Sequence, residues 1–343
     1  MTDRPTLENI QALRWIAAAL VFIQHSVYFA GMTVGDQMLS FRGLNLGGIG
    51  VYIFFIISGF VIALQTNKNP AHFLMHRVFR IYPGYLVAII FSTTVFFLFS
   101  AYRPTFSIPS VSMLLIPTGS LNSSFQIPYW TLIYEMFFYA LVLLLMIVHR
   151  NRSKFIDASI FIWMLGIITS MYVGTKIDMP KPGPSEILVS PLNLYFICGF
   201  FLSRIFFSKN PGLAYLALFL MAAAGCFILS MRYQATISAM GIAAIVMAVK
   251  SKPLPNLLNK LGDYSYGIYL AHLPVIYCIH LALKDSGTSF AGALALMTVA
   301  ALPAAILFGR IEHGLYKGRI RPAVDRLFEK KISAPMSPSL EKQ

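Results

Sequence analysis

Two ionisable residues lie within the first long apolar stretch of the chain, LRWIAAALVFIQHS at residues 13–26. Arg14 stands at its start and His25 follows eleven residues later, which in an α-helix is about 16 Å along the axis. A buried imidazole can act as a general base toward a hydroxyl group, and an ionisable residue at membrane depth is a functional candidate. The alternative is structural, with Arg14 reaching the membrane surface and His25 bonding a neighbouring helix.

A carboxylate occurs at matching depth in the stretch YWTLIYEMFFY, residues 129–139. If the two stretches cross the membrane in opposite directions, His25 lies about 10 Å and Glu135 about 9 Å below the same surface. Should their helices be neighbours, Glu135 would orient His25 and stabilise its protonated form. A Glu–His or Glu–Arg pair that only holds two helices together fits the same pattern.

Two arginines, Arg77 and Arg80, are three residues apart in the stretch HRVFRIYP, just before an apolar segment. In a helix they share one face, and two forked guanidinium groups suit a phosphate-rich soluble ligand. Contact with anionic lipid headgroups is the competing interpretation.

Four further residues are candidates for supporting roles in the same site. Ser58 lies in FFIISGF at 54–60, Tyr139 ends the 129–139 stretch, and Tyr266 and His272 lie in GDYSYGIYLAH at 262–272. Close helix packing or a satisfied core position explains each of them equally well. A last carboxylate, Glu312, is expected to pair with Arg310, Arg14 or Arg77 as ordinary charge compensation.

The elements that must position these residues are transmembrane helices. Of the 343 residues 57% are hydrophobic and 12% charged, and the mean hydropathy is +0.69, which predicts an all-α polytopic membrane protein. The net charge of +14 could suggest nucleic acid, but the basic residues lie in short runs between apolar blocks, as membrane topology requires. The cysteines Cys198, Cys226 and Cys278 lack paired or metal-type spacing, so we expect small buried hydrophobes and no metal site.

About ten spans can be placed by length and hydropathy, and their order sets the topology. If the N-terminus is cytosolic, six of the 27 Lys and Arg residues lie on the outer side of the membrane and the rest lie on the cytosolic side. Because basic residues are concentrated on the cytosolic side of membrane proteins, this distribution predicts that both termini are cytosolic. The predicted spans are 12–32, 47–65, 84–100, 129–148, 156–175, 188–207, 211–230, 234–249, 263–282 and 290–311.

The chain is expected to form one membrane domain over residues 1–315, followed by a basic, flexible cytosolic tail at 316–343. The Pro, Ser and Thr rich segment from Tyr102 to Tyr129 suits either a lid over the outer face or a passive connector.

Taken in order, these stretches resemble the acyltransferase-3 family of bacterial membrane O-acyltransferases. The resemblance covers nearly the full length and is carried by Arg14 with His25, FFIISGF, RVFR, YWTLIYEMFFY and GDYSYGIYLAH. The form of the 129–139 motif is similar to that of the exopolysaccharide O-acetylase subgroup. Many members have a serine and a second acidic residue where this chain has Thr131 and Met136, which argues against a role that needs a second carboxylate.

The resemblance implies an enzyme of the bacterial inner membrane that moves an acyl group, with acetyl as the first candidate, from cytosolic acyl-CoA to a sugar hydroxyl. The acceptor would be an exopolysaccharide or a lipid-linked glycan, and no cofactor would be bound permanently. His25 and Glu135 would be the catalytic residues, and Arg14, Arg77 and Arg80 would serve the donor. Two alternatives remain: a proton-coupled transporter or flippase of glycan precursors, whose relay would use His25, Glu135 and His272, and a membrane scaffold.

Overall fold

The structure, a computed structural model, describes residues 8–36, 45–99, 114–119, 128–175, 182–228 and 231–332. Within these ranges the chain is helical and contains no strand. Eight helices are long and apolar enough to cross a membrane, and two shorter apolar helices accompany them. The prediction of an all-α multi-pass membrane protein is therefore confirmed.

The helices follow one another in the chain with short connections where the structure describes them. They are α1 (Glu8–Thr33), α2 (Leu46–Ala63), α3 (Pro70–Phe99), α4 (Trp130–Val148), α5 (Ser153–Val173), α6 (Glu186–Val189), α7 (Asn193–Phe207), α8 (Gly212–Phe227), α9 (Arg232–Lys250), α10 (Asn256–Leu283), α11 (Phe290–Leu315), a π-helical turn (Tyr316–Ile320) and α12 (Arg321–Ile332).

Two of the differences between the helices and the predicted spans involve proline. The span predicted at 84–100 belongs to α3, which begins at Pro70 and continues through Pro83. The span predicted at 188–207 is divided into α6 and α7, because Pro191 lies between them and cannot donate a backbone hydrogen bond.

Close helix crossings place α10 between α1 and α11, and glycine makes both crossings possible. A Cβ atom on Gly262 would lie 1.8 Å from the carbonyl oxygen of Gln11, and one on Gly267 would lie 2.4 Å from the Cα of Gly309. Only a residue without a side chain fits at such distances. The helix α10, which carries the 262–272 motif, is thus held in direct backbone contact with both α1 and α11.

The segment predicted as a flexible tail is helical as far as Ile332. Its Val324 side chain is only 3% exposed, and Asp325 contacts histidines of α3, so an amphipathic helix packs where a free tail was expected. Residues 333–343 lie outside the described ranges, and the division at residue 316 and the cytosolic position of the termini stay predictions.

Two smaller expectations also meet the structure. Most of the 102–129 segment falls outside the described residues, but Leu114 accepts a hydrogen bond from the Tyr82 hydroxyl at 2.6 Å. Cys198 is buried as predicted, whereas Cys226 is exposed on the helix surface, so the prediction of a buried residue is wrong for Cys226. Cys278 is half-buried.

Candidate functional site

A cavity of about 650 Å³ opens among α1, α2, α3, α4, α10, α11 and α12. Its size is that of a site for a small molecule or cofactor. Its charged lining is dominated by basic side chains, with three carboxylates among them. The basic residues are Arg14, Lys68, Arg77, Arg80, Lys317 and Arg321, and the acidic ones are Glu135, Asp263 and Asp325.

The carboxylate predicted to be catalytic, Glu135, lies in the wall of this cavity. It accepts a hydrogen bond from the Ser58 hydroxyl at 3.2 Å and another from the Tyr139 hydroxyl. The structure therefore brings together Glu135 and two of the predicted supporting residues. One donor belongs to α2 and the other lies one turn further along α4, so the carboxylate is held in a fixed orientation.

Arg77 and Arg80, predicted as an equivalent pair, have different surroundings. The Arg77 guanidinium lies 5.2 Å from the ring centre of Tyr139 and 5.7 Å from that of Phe73. Its Nε atom is buried without a hydrogen-bond partner in the described part of the chain. A guanidinium stacked on aromatic rings with an unused donor is suited to an anionic ligand.

Arg80 instead forms a buried ion pair with Glu312. Its guanidinium lies between the rings of Tyr266 and Tyr316, at 4.7 and 4.8 Å from their centres. Glu312 was expected to pair with another arginine, and that expectation is wrong: one turn of α3 separates Arg77 from Arg80, and only Arg80 faces α11. Arg80 is therefore a neutralised structural contact between α3 and α11 as well as part of the cavity wall.

Arg14 also lines the cavity, at the start of α1. Its Nη1 donates a hydrogen bond to the Gln11 side chain at 3.3 Å, and the described residues contain no ion pair to it. The cavity therefore holds two arginines, Arg14 and Arg77, whose charges are not cancelled by a direct carboxylate partner.

The other predicted catalytic residue, His25, pairs with a second histidine. Its Nδ1 lies 2.8 Å from Nε2 of His272, and Nδ1 of His272 lies 3.0 Å from the carbonyl oxygen of Ile268. The expected contact between His25 and Glu135 is not formed. The predicted match in depth does not make these residues neighbours, because α1 packs on α10 and α2 and the hydrogen bonds of Glu135 go to its own helix and to α2.

The hydrogen-bond chain through the histidines defines their tautomers when both rings are neutral. A carbonyl oxygen only accepts, so the proton of His272 lies on Nδ1 and its Nε2 is an acceptor. His25 must then donate from Nδ1, which leaves the lone pair of its Nε2 unused. An imidazole held in this tautomer by a partner is the arrangement that general-base catalysis needs.

The cavity and the histidine pair are connected along one face of α10. Asp263, Tyr266 and Tyr269 recur at intervals of three residues and all line the cavity. His272 is the next residue of this series, and its ring centre lies 6.1 Å from that of Tyr269. The histidine pair therefore begins one helical turn beyond the end of the cavity.

Three cavity residues were not among the predicted site residues. Thr131 forms a hydrogen bond with the Tyr269 hydroxyl at 2.7 Å. It occupies the motif position at which many family members have a serine. His72 and His76, one helical turn apart in the sequence HFLMH, contact Asp325 at the cavity mouth. Their four-residue spacing was readable, whereas the approach of Asp325 was not.

A multi-pass helical fold with a cationic internal cavity that leads toward an oriented histidine pair is the architecture expected of a membrane-embedded transferase. The chain belongs to the acyltransferase-3 family, whose sequence profile, described as an acyltransferase domain, matches residues 7–310. This membership favours the enzyme over the transporter and scaffold alternatives. It establishes a multi-pass membrane acyltransferase that transfers groups other than aminoacyl and suggests that no cofactor is bound permanently for the transfer itself.

Curated relatives agree with this family. The chain is 28% identical to acyltransferase MdmB of Streptomyces mycarofaciens over 92% of its own length and 94% of the relative. It is 25% identical to exopolysaccharide production protein ExoZ of Rhizobium meliloti (strain 1021), over 77% and 86% of the two chains. It is 26% identical to nodulation protein 10 of Rhizobium leguminosarum bv. viciae, over 79% and 83%. No solved structure matches the chain.

Proposed function

We propose that this protein transfers an acyl group, with acetyl as the first candidate, from cytosolic acyl-CoA to a sugar hydroxyl of an exopolysaccharide or lipid-linked glycan in the bacterial inner membrane. The observation that carries the proposal is the cationic cavity that ends one turn from the His25–His272 pair. The relative named for exopolysaccharide production supports the choice of acceptor.

The donor is expected to bind through its phosphates at the basic end of the cavity. Arg14 and Arg77 supply uncompensated guanidinium groups, and guanidinium donors bind phosphate oxygens in a bidentate, charge-assisted way. Arg80, tied to Glu312, shapes the wall beside them. The apolar and hydroxyl-bearing part of the lining, including Tyr269 and Thr131, would receive the less polar acyl end of the donor.

In the reaction, His25 acts as the general base and His272 positions it. The sugar hydroxyl transfers its proton to Nε2 of His25 while its oxygen attacks the carbonyl carbon of the thioester. The carbon–sulfur bond then breaks, and the CoA thiolate takes the proton from Nε2 of His25, which restores the neutral imidazole. In the alternative route, the same lone pair attacks the thioester carbon and displaces the CoA thiolate, and the sugar hydroxyl then attacks the acyl-histidine and gives its proton to the thiolate.

Glu135 contributes from the cavity wall and does not touch His25. Its carboxylate is oriented by Ser58 and Tyr139 and lines the same cavity as Arg14 and Arg77. We infer that it aligns the donor and balances the charge of Arg14 and Arg77 when the cavity is empty.

The test is acyl transfer by the purified protein in lipid vesicles, with acetyl-CoA and a glycan acceptor from the host. We expect acceptor-dependent release of free CoA together with a gain of one acetyl mass on the glycan. Mass spectrometry of the host polysaccharide with and without the protein should show the same difference. Unchanged glycan mass and no CoA release in both assays would contradict the proposal.

A further inference from the structure

We propose that His72, His76 and Asp325 form a site for a divalent transition-metal cation, with zinc as the preferred ion, at the mouth of the cavity. The site joins α3 to the C-terminal helix α12. It is separate from the acyl-transfer chemistry, because the cation would hold the mouth of the cavity and not contact the histidine pair.

The three ligand atoms are spaced as zinc ligands require. Nε2 of His76 lies 3.0 Å from Nε2 of His72 and 2.9 Å from Oδ1 of Asp325. Nε2 of His72 lies 3.5 Å from the same Oδ1. Ligand atoms of a tetrahedral zinc, at bond lengths of about 2.0–2.1 Å, lie about 3.3–3.4 Å from one another. The three atoms therefore outline one face of a coordination tetrahedron.

The helical spacing of the histidines produces this geometry. Residues four apart in a helix project from the same face, and a His–His pair at this spacing with a carboxylate from a distant helix is a known zinc-binding arrangement. The Phe328 ring packs edge-on against the His72 ring, 5.0 Å between centres, which limits its rotation. All three ligands are supplied by ordered helices.

Hydrogen bonds alone satisfy this cluster poorly. Each of the three ligand atoms, the two Nε2 atoms and Oδ1, has the other two within 3.5 Å. An Nε2 atom carries at most one proton and can donate it in only one direction, so hydrogen bonds cannot satisfy all three contacts. A cation at their centre satisfies all three lone pairs at once. The second carboxylate oxygen, Oδ2, faces Arg321 at 3.9 Å, so Oδ1 is left for the metal.

An ion can reach the site, and the site leaves one coordination position open. The side chains of His72, His76 and Asp325 are 26%, 17% and 40% exposed, and all three line the cavity. Three protein ligands leave room for water at the fourth position of a tetrahedral ion. The cation would thereby cross-link α3 and α12 without closing the cavity.

The experiment uses the full chain, purified with a tag that contains no histidine and stripped of metal with a chelator. Cobalt(II) reports on geometry, since a tetrahedral site gives intense visible absorption, and zinc is added next to displace it. We expect one cobalt per protein, displaced by zinc, and an affinity at least about tenfold lower in His76→Ala and Asp325→Asn. Zinc should also raise the Tm of the wild type and not that of these variants.

The matched control is His313→Ala. His313 also lines the cavity and lies 3.9 Å from a carboxylate oxygen of Asp263, but it has no second histidine beside it among the described residues, so its loss should leave cobalt binding unchanged. If His76→Ala fails to fold, His72→Ala takes its place. Octahedral or absent cobalt spectra, or equal affinity in the wild type and the ligand variants, would overturn the site whatever the outcome for acyl transfer.

Discussion

Nδ1 of His25 and Nε2 of His272 lie 2.8 Å apart, and a second side-chain hydrogen bond joins the same two helices further along. Eight residues later in both helices, Thr33 and His280 are 2.9 Å apart. The constant offset shows that α1 and α10 run in the same direction. The His25–His272 bond faces the end of the cavity, whereas the Thr33–His280 bond lies two turns further along. The second bond can therefore serve as a control for the first.

We predict that His272→Ala lowers kcat about 10- to 100-fold with little change in the KM for acyl-CoA. General-base catalysis contributes about 10²- to 10⁴-fold, and the base loses part of this when its orientation is lost. Steady-state CoA release per folded molecule is the measurement. His280→Ala removes the equivalent α1–α10 bond and should leave kcat nearly unchanged. Equal losses in the two variants would indicate a purely structural role for His272.

Substitutions of the two arginines of α3 should have different effects. Arg77→Ala should raise the KM for acyl-CoA about ten- to a hundredfold, because a charge-assisted bond to phosphate is worth about 1.5–3 kcal/mol. Its thermal stability should be almost unchanged, since no ion pair to Arg77 exists in the described residues. An unaltered KM would assign Arg77 to lipid contact instead.

Arg80→Ala should lower the free energy of unfolding by about 3–5 kcal/mol, because it leaves Glu312 buried without its partner. Glu312 is only 8% exposed. The double variant Arg80→Ala with Glu312→Gln should recover part of this loss, since the uncompensated charge is gone. Thermal unfolding in detergent checks both values, and a double variant less stable than Arg80→Ala would argue against the ion pair.

A glycine contact between α2 and α7 supports the cavity wall that carries Ser58. A Cβ atom on Gly59 would lie 1.9 Å from the carbonyl oxygen of Phe196, so Gly59→Ala must push these helices apart. We expect a loss of about 1–3 kcal/mol in stability, the usual effect of overpacking. Gly166→Ala is the control because a Cβ there meets nothing within 4 Å. Similar melting temperatures for both variants would contradict the packing.

The predicted topology places Gln343 in the cytosol. A reporter that is active only outside the cytosol should therefore be silent when fused after Gln343, and one active only inside should work. The opposite pattern would reverse the side from which the donor reaches the cavity.

Sequence alone predicted the helices well, because apolar length is a local property of the chain. The rise per residue also predicted that His25 and Glu135 lie at one depth, and this stays a prediction. Which helices are neighbours could not be read, because that choice depends on contacts such as Gly262 against Gln11. For this reason His25 was given the wrong partner, while His272, the true one, was identified only as a supporting candidate.

The charged residues show the same limit. The negative charge and the approximate depth of Glu312 predicted an arginine partner. The three candidates named, Arg310, Arg14 and Arg77, did not include Arg80. Helix rotation about its axis decides whether Arg77 or Arg80 faces α11, and rotation depends on tertiary packing. The metal cluster was missed for a related reason, since Asp325 belongs to a helix that had been predicted as a flexible tail.

The central claim is that Nε2 of His25 carries the acyl-transfer step. The direct test is His25→Ala, purified and reconstituted beside the wild type, with acceptor-dependent CoA release and acyl incorporation measured per folded molecule. We predict that the variant folds, binds acyl-CoA with near wild-type affinity and loses both activities by at least about a hundredfold. Normal specific activity in folded His25→Ala protein would contradict the mechanism.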